Sequence, residues 1–203
     1  MGNTENLSAR QGWVHYADRC RKYGQPGLVV WFTGLSGSGK TTLALEVEKR
    51  LFEQGRLVYR LDGDGLRQGL NAGLDFTPAG RRENIRRAAE VARLFQDAGL
   101  IVLASFISPQ RDMRTHARSL VPVGAFIEVY VRASLEACIA RDPKGFYRRA
   151  LQGEIKDYTG IAQEYEEPLS PELIVDTEAN DLEECVRQVL AHITAALAAQ
   201  SEI

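Results

Sequence analysis

A chain of 203 residues with formal net charge −2 and 44% hydrophobic residues is the size of one globular domain with its own core, and it lacks the basic excess of a nucleic-acid binder. No apolar run reaches the roughly 18 residues of a membrane helix, and the polar start, Met1–Arg10, has no apolar stretch of the kind that marks a signal peptide. The three cysteines, Cys20, Cys138 and Cys185, are too widely spaced for a disulfide framework or a zinc site, which points to a reducing, cytoplasmic setting.

Residues 1–26 are polar and read as an N-terminal arm, with the domain proper in 27–203. Regular structure is expected from Leu28. The apolar run Leu28-Val29-Val30-Trp31-Phe32-Thr33 reads as a strand buried on both faces of a parallel sheet. A helix follows over Thr41–Gln54 and ends at Gly55. Leu57–Leu61 is the second strand and runs into Asp62. Thr77-Pro78 has the form of an N-cap followed by proline at the first helical position, opening a helix with Ile85, Ala88, Ala89, Ala92 and Phe95 on one face. Leu100–Phe106 and Phe126–Val131 are further strands, with a short helix near Ser134–Ala140. Leu173–Val175 is a fifth strand, and Leu182–Ala199 a final helix.

Strands alternating with helices predict an α/β fold: a five-stranded parallel sheet with helices on both faces, in three layers. Ligands of such sheets bind beyond the carboxyl ends of the strands. Gly34, Asp62, Ile107 and Asp176 all follow strands and are expected along one edge.

Gly34-Leu35-Ser36-Gly37-Ser38-Gly39-Lys40-Thr41 matches the phosphate-binding pattern G-x-x-x-x-G-K-S/T between a strand and a helix, as its mechanism requires. Backbone N–H groups and the helix N-terminus cradle phosphate oxygens. Lys40 reaches the β- and γ-phosphates, and the Thr41 hydroxyl ligates Mg²⁺. No Asn-Lys-x-Asp guanine motif occurs, the strand Leu100–Phe106 ends without an aspartate, and the chain is short for a motor. A kinase of small molecules remains.

Asp62-Gly63-Asp64 follows the second strand and could help hold hydrated Mg²⁺, take the proton of an attacking hydroxyl, or simply turn the chain. Arg67, Arg81, Arg82, Arg86 and Arg87 cluster just beyond it. In a mildly acidic chain they suggest an anionic acceptor, although Arg82 and Arg87 also suit a solvated helix face. Phe76 either stacks on a base or belongs to the core. Ser108, in Ser105-Phe106-Ile107-Ser108-Pro109, is a nucleophile, a hydrogen-bond donor or a turn residue, and no histidine lies near it in sequence to act as its base. The polar stretch of about 142–168 has the length and composition of a lid.

These blocks, with Arg141-Asp142-Pro143-Lys144-Gly145 and Gly153-Glu154-Ile155-Lys156 followed by Thr159-Gly160-Ile161, resemble adenylyl-sulfate kinase in order and spacing from about Trp13 to Ile193. The resemblance implies a P-loop kinase fold and transfer of phosphate from MgATP to the 3′-hydroxyl of adenylyl sulfate. It puts ATP on Gly34, Leu35, Ser36, Gly37, Ser38, Gly39, Lys40, Thr41, Thr42 and Arg141, with Lys40, Asp62 and Asp64 catalytic and Mg²⁺ on Thr41 and Asp64. It puts the acceptor on Arg67, Arg81 and Asn84, between Phe76 and Phe146, with Lys156, Thr159, Ile107 and Ser108 completing the pocket. Ser108 matches the family's phosphoserine position, whereas in-line transfer needs only positioning and charge. Trp13 and Val14 suggest a contact between subunits in a homodimer, and the resemblance implies a functional link to an ATP sulfurylase. Four positions depart from the family pattern: Gly65 for asparagine, Asp75 for glycine, Gly80 for aspartate and Gln110 for tyrosine. All four lie near the acceptor residues in sequence, and the alternative acceptor is another small anionic nucleotide anhydride.

Overall fold

Every residue of the first apolar run is buried, because the strand it forms, β1 (Leu28–Thr33), is covered on both faces. The structure is a computed structural model, and the residues it describes are 13–155 and 158–201. Beside β1 lie β2 (Val58–Asp62), β3 (Ile101–Ser105), β4 (Phe126–Arg132) and β5 (Leu173–Asp176), in the order β2-β3-β1-β4-β5. All four pairings are parallel.

Alternation along β1 builds two cores. Leu28, Val30 and Phe32 pack with Leu43 and Val47 of the helix Lys40–Glu53 and with Val186 and Ile193 of the helix Leu182–Ser201. Val29 and Trp31 face the other way, toward Ile85, Ala88 and Ala92 of the helix Pro78–Asp97 and Met113 of the helix Arg111–Ser119. Each large apolar side chain fully buried in this way contributes roughly 1.5–3 kcal/mol. The pairing register sets Phe32 and Asp62 level with Ser105, and Thr33 level with Tyr130. The loops that follow β1, β2 and β3 therefore leave the sheet at one edge.

In chain order the helices are α1 (Tyr16–Tyr23), α2 (Lys40–Glu53), α3 (Gly63–Gln68), α4 (Pro78–Asp97), α5 (Arg111–Ser119), α6 (Leu135–Arg141), α7 (Phe146–Leu151) and α8 (Leu182–Ser201). Regular structure thus begins before Leu28. Asp18 accepts from the His15 N–H at 2.9 Å, and Gly24 closes α1 in the left-handed conformation. The helix is tied to the domain by Tyr16, whose hydroxyl accepts from Gly27 N at 3.0 Å, and by Arg19 on Asp97 at 3.3 Å. These ties join residues far apart in the chain.

Candidate active site

The loop from β1 to α2 turns through glycines at positive φ: Gly34 at 147°, Gly37 at 78° and Gly39 at 98°. A Cβ on Gly34 would stand 2.4 Å from the Val131 carbonyl oxygen, so the backbone of β4 leaves no room there for a side chain. Gly39 caps α2 without a side-chain hydrogen bond. The first N–H groups of the helix are therefore available to an anion.

Lys40 is buried and donates to the carbonyls of Gly34 at 2.9 Å and Leu35 at 2.6 Å. Burial lowers its pKa from 10.5 to about 8; Cys138 and Asp62 oppose the shift, and the charge of Lys144 adds to it. Arg141 donates to Thr177 Oγ1 at 3.0 Å, and Thr177 in turn donates to Ser38 O at 3.0 Å. The end of α6 is thereby fastened to the phosphate loop.

The sequence expectation joined Thr41 to Asp64 as oxygen donors for a metal. In the structure the Thr41 hydroxyl donates to Asp62 Oδ2 at 3.1 Å, whereas Asp64 forms an ion pair with Lys144. Asp62 also caps α3, accepting from Asp64 N at 3.0 Å. Ser105, level with Asp62 on β3, is buried, and its hydroxyl has no hydrogen-bond partner among the described residues.

A cleft of about 770 Å³ opens at this edge of the sheet. Its phosphate end is lined by Gly37, Gly39, Lys40, Thr41 and Thr42, with Asp62, Asp64 and Arg141. Arg67, Phe76, Arg81, Asn84, Ile107, Ser108 and Phe146 line the far end. The Arg67 guanidinium lies 4.2 Å from the Phe76 ring centre, and Arg81 donates to Phe76 O at 2.9 Å and to Thr159 Oγ1. Arg82, Arg86 and Arg87 point elsewhere. Arg82 pairs with Asp112, and the other two with Glu83. Gln110 accepts from Arg82 at 2.8 Å, and a side chain at Gly65 would meet open space.

The family profile described as adenylylsulphate kinase matches residues 26–176. The chain belongs to the adenylyl-sulfate kinase family. It is 54% identical over 191 residues to an adenylyl-sulfate kinase of Geotalea daltonii, covering 94% of each chain. It is 50% identical over 193 residues to one of Staphylococcus carnosus, covering 95% of this chain and 97% of the relative. Among solved structures it resembles the Mycobacterium tuberculosis APS kinase in complex with AMPPNP and APS, with a TM-score of 0.80 and 43% identity over 84% of this chain and 99% of that one.

Within this adenylyl-sulfate kinase fold, Ser108 has an unusual place. It is buried at φ 39°. Its Oγ accepts from Trp31 Nε1 at 3.1 Å and donates to Thr33 Oγ1 at 3.0 Å. Thr33 donates on to Ile107 O at 2.8 Å and contacts the Tyr165 hydroxyl at 2.9 Å. Lys156 lies outside the described residues. Thr159 is buried against Arg81. Lys144, Tyr158 and Thr177 also line the cleft, and sequence reasoning assigned none of them a role. Lys144 was visible inside its motif, but the pairing with Asp64 spans 80 residues and left no local signal.

Proposed function

We propose that this chain transfers the γ-phosphate of MgATP to the 3′-hydroxyl of adenylyl sulfate. The observation that carries the reading is one continuous cleft with phosphate-binding chemistry at one end and Arg67, Arg81, Phe76 and Phe146 at the other. The loop N–H groups and Lys40 hold and polarise the ATP phosphates, and Arg141 fixes the loop from behind. Thr41, Asp62 and Asp64 are hard oxygen donors suited to Mg²⁺, and the unpartnered Ser105 hydroxyl beside Asp62 suits a hydrating water. Bound Mg²⁺ supplies charge neutralisation on the phosphates.

Arg67, Arg81 and Asn84 hold the anionic end of the acceptor, and Phe76 and Phe146 take the adenine faces. Asp64 takes the proton of the attacking hydroxyl once phosphate oxygens draw Lys144 away from it. The lid, α7 with Tyr158 and Thr159, excludes water from the transfer. Trp13 is fully exposed and Val14 largely so, which favours a homodimer with these residues in the contact. Cys20, Cys138 and Cys185 are unpaired, which favours the cytoplasm. No helix among the described residues is long and apolar enough to cross a membrane. An ATP sulfurylase is the functional partner, as the source of the acceptor.

The test compares adenylyl sulfate with AMP, which lacks the sulfate, in wild type and Arg81→Ala. Each lost charge-assisted hydrogen bond costs about 1.5–3 kcal/mol, so Arg81→Ala raises the acceptor KM roughly 10- to 150-fold. The KM for ATP barely moves. A wild type that does not distinguish the two nucleotides overturns the acceptor assignment in favour of another nucleotide anhydride.

Ser108 acts here without covalent chemistry, since both its hydrogen and a lone pair are engaged by Thr33 and Trp31. Ser108→Ala retains turnover within about tenfold, at a stability cost of about 1–3 kcal/mol for the Trp31 N–H left unpaired. Mass spectrometry of wild type with ATP alone finds no phosphoserine. Stoichiometric phosphate on Ser108 that is discharged by added acceptor would prove this wrong.

A further inference from the structure

Helix α4 begins two residues after Phe76, and its cap departs from the usual box. Thr77 is the N-cap, Pro78 stands at the first helical position, and the Thr77 hydroxyl accepts from Gly80 N at 3.1 Å. In a capping box the return bond, to the N-cap N–H, comes from an acidic or amide side chain at the third helical position. That position is Gly80, which has no side chain. The Thr77 N–H is taken instead by Asp75 Oδ1 at 3.2 Å, and the same oxygen accepts the Thr77 hydroxyl at 2.6 Å.

The two residues fit only together. A Cβ on Gly80 would lie 2.1 Å from Asp75 Oδ1 and 2.6 Å from Asp75 O. Gly80 is not at positive φ, and glycine is disfavoured inside a helix, so the space taken by Asp75 is the reason for it. Asp75 and Gly80, two of the four departures from the family pattern, are therefore one change. Asp75 serves, from ahead of the cap, the N–H that a carboxylate at the third helical position serves in a capping box.

The turn this carboxylate fixes carries the acceptor end of the cleft. Arg67 donates to Leu74 O at 2.8 Å and to Asp75 O at 3.4 Å, and its guanidinium covers the Phe76 ring. Arg81 donates to Phe76 O at 2.9 Å. We propose that Asp75 and Gly80 are a coupled pair of positioning residues for the acceptor, acting through Phe76, Arg67 and Arg81. This rests on the reading that those three residues hold the acceptor.

A double-mutant cycle tests it. Acceptor KM, ATP KM, kcat and melting temperature are measured for wild type, Asp75→Gly, Gly80→Asp and the double variant Asp75→Gly/Gly80→Asp, with Asp75→Asn and Phe76→Ala alongside. Loss of the cap raises the acceptor KM about tenfold in each single variant and leaves the ATP KM within about twofold. The double variant, with its carboxylate back inside the helix, returns to within about threefold of wild type by non-additive coupling. Asp75→Asn, which keeps an accepting oxygen, stays close to wild type. Additive effects in the cycle, or unchanged acceptor KM in Asp75→Gly, overturn the proposal. If Gly80→Asp does not fold, the comparison of Asp75→Gly with Asp75→Asn still decides. Phe76→Ala separates the two readings. Should it raise the acceptor KM while the Asp75 variants do not, only the coupled pair falls; should it have no effect, the acceptor site itself is misassigned.

Discussion

Lys40→Ala abolishes phosphoryl transfer and does not lower the melting temperature at pH 7. The side chain is buried but adds nothing to either core; its ammonium sits on the carbonyls of its own loop. Transfer of the γ-phosphate concentrates negative charge at the spot this ammonium serves, and a preorganised charge in a water-poor site is worth several kcal/mol. Near-normal turnover by the variant would overturn the mechanism.

The depressed pKa gives two further signs to check. Lys40 falls from 10.5 to about 8 through burial, with Lys144 adding and Cys138 and Asp62 opposing. Between about pH 8 and 10.5 the unfolded chain then binds the proton that the folded chain has lost. Stability of wild type therefore rises relative to Lys40→Ala across that window, because the unfolded state carries more protons. Below pH 8 both states are charged, and the folded state bears the whole cost of burying the ammonium. In kinetics, kcat/KM for ATP reports the free enzyme and falls above about pH 8 as Lys40 loses its charge. Bound phosphates favour the charged form, so kcat holds to higher pH. A kcat/KM that stays flat well above that pH would show that Lys40 remains fully protonated in the free enzyme.

What the sequence could announce was set by local periodicity. Strands β1, β3 and β4 and helices α2, α4 and α8 were legible because they bury apolar residues in runs or at regular spacing, as in Leu28–Thr33 or in Ile85, Ala88 and Ala92, and the shorter apolar stretches of β2 and β5 were legible beside them. Helix α5 was not, since one of its three buried positions is Arg114, a charge satisfied by Glu128 at 2.7 Å and by Ser108 O at 2.6 Å. Helix α3 was not expected, because two glycines stand among its six residues and its start depends on Asp62 as a cap. The phosphate loop was fully legible, being one contiguous motif. The acceptor end was legible only as a list. Sequence set Arg67 and Arg81, which reach the cleft, apart from Arg82 and Arg87, which suit a solvated helix face, but it could not name the partners Asp112 and Glu83 that hold the latter two. Those assignments depend on pairing distances across the fold.

Asp64→Asn lowers kcat by at least about 10²-fold, the usual loss for a positioned general base, while the KM for MgATP changes far less. Asp62 ends β2 and Asp64 stands two residues on, but the two carboxylates face different partners. Asp62 is engaged by the Thr41 hydroxyl and by its own helix cap. The Asp64 side chain is exposed and, among the described residues, is held by Lys144 from the lid. An exposed pair of this kind adds little to stability, so the melting temperature hardly moves in the variant. Asparagine keeps the shape and the capacity to accept a hydrogen bond, and it removes the charge and the basicity. The measurement therefore isolates proton acceptance from positioning. Because the Lys144 ammonium occupies the Asp64 carboxylate in the ion pair, full activity requires the lysine to be drawn to phosphate when both substrates are present. Lys144→Met then raises the acceptor and ATP KM values without reproducing the kcat loss of Asp64→Asn. If Asp64→Asn instead raises the KM for MgATP and spares kcat, Asp64 is a binding residue and Asp62 takes the catalytic role.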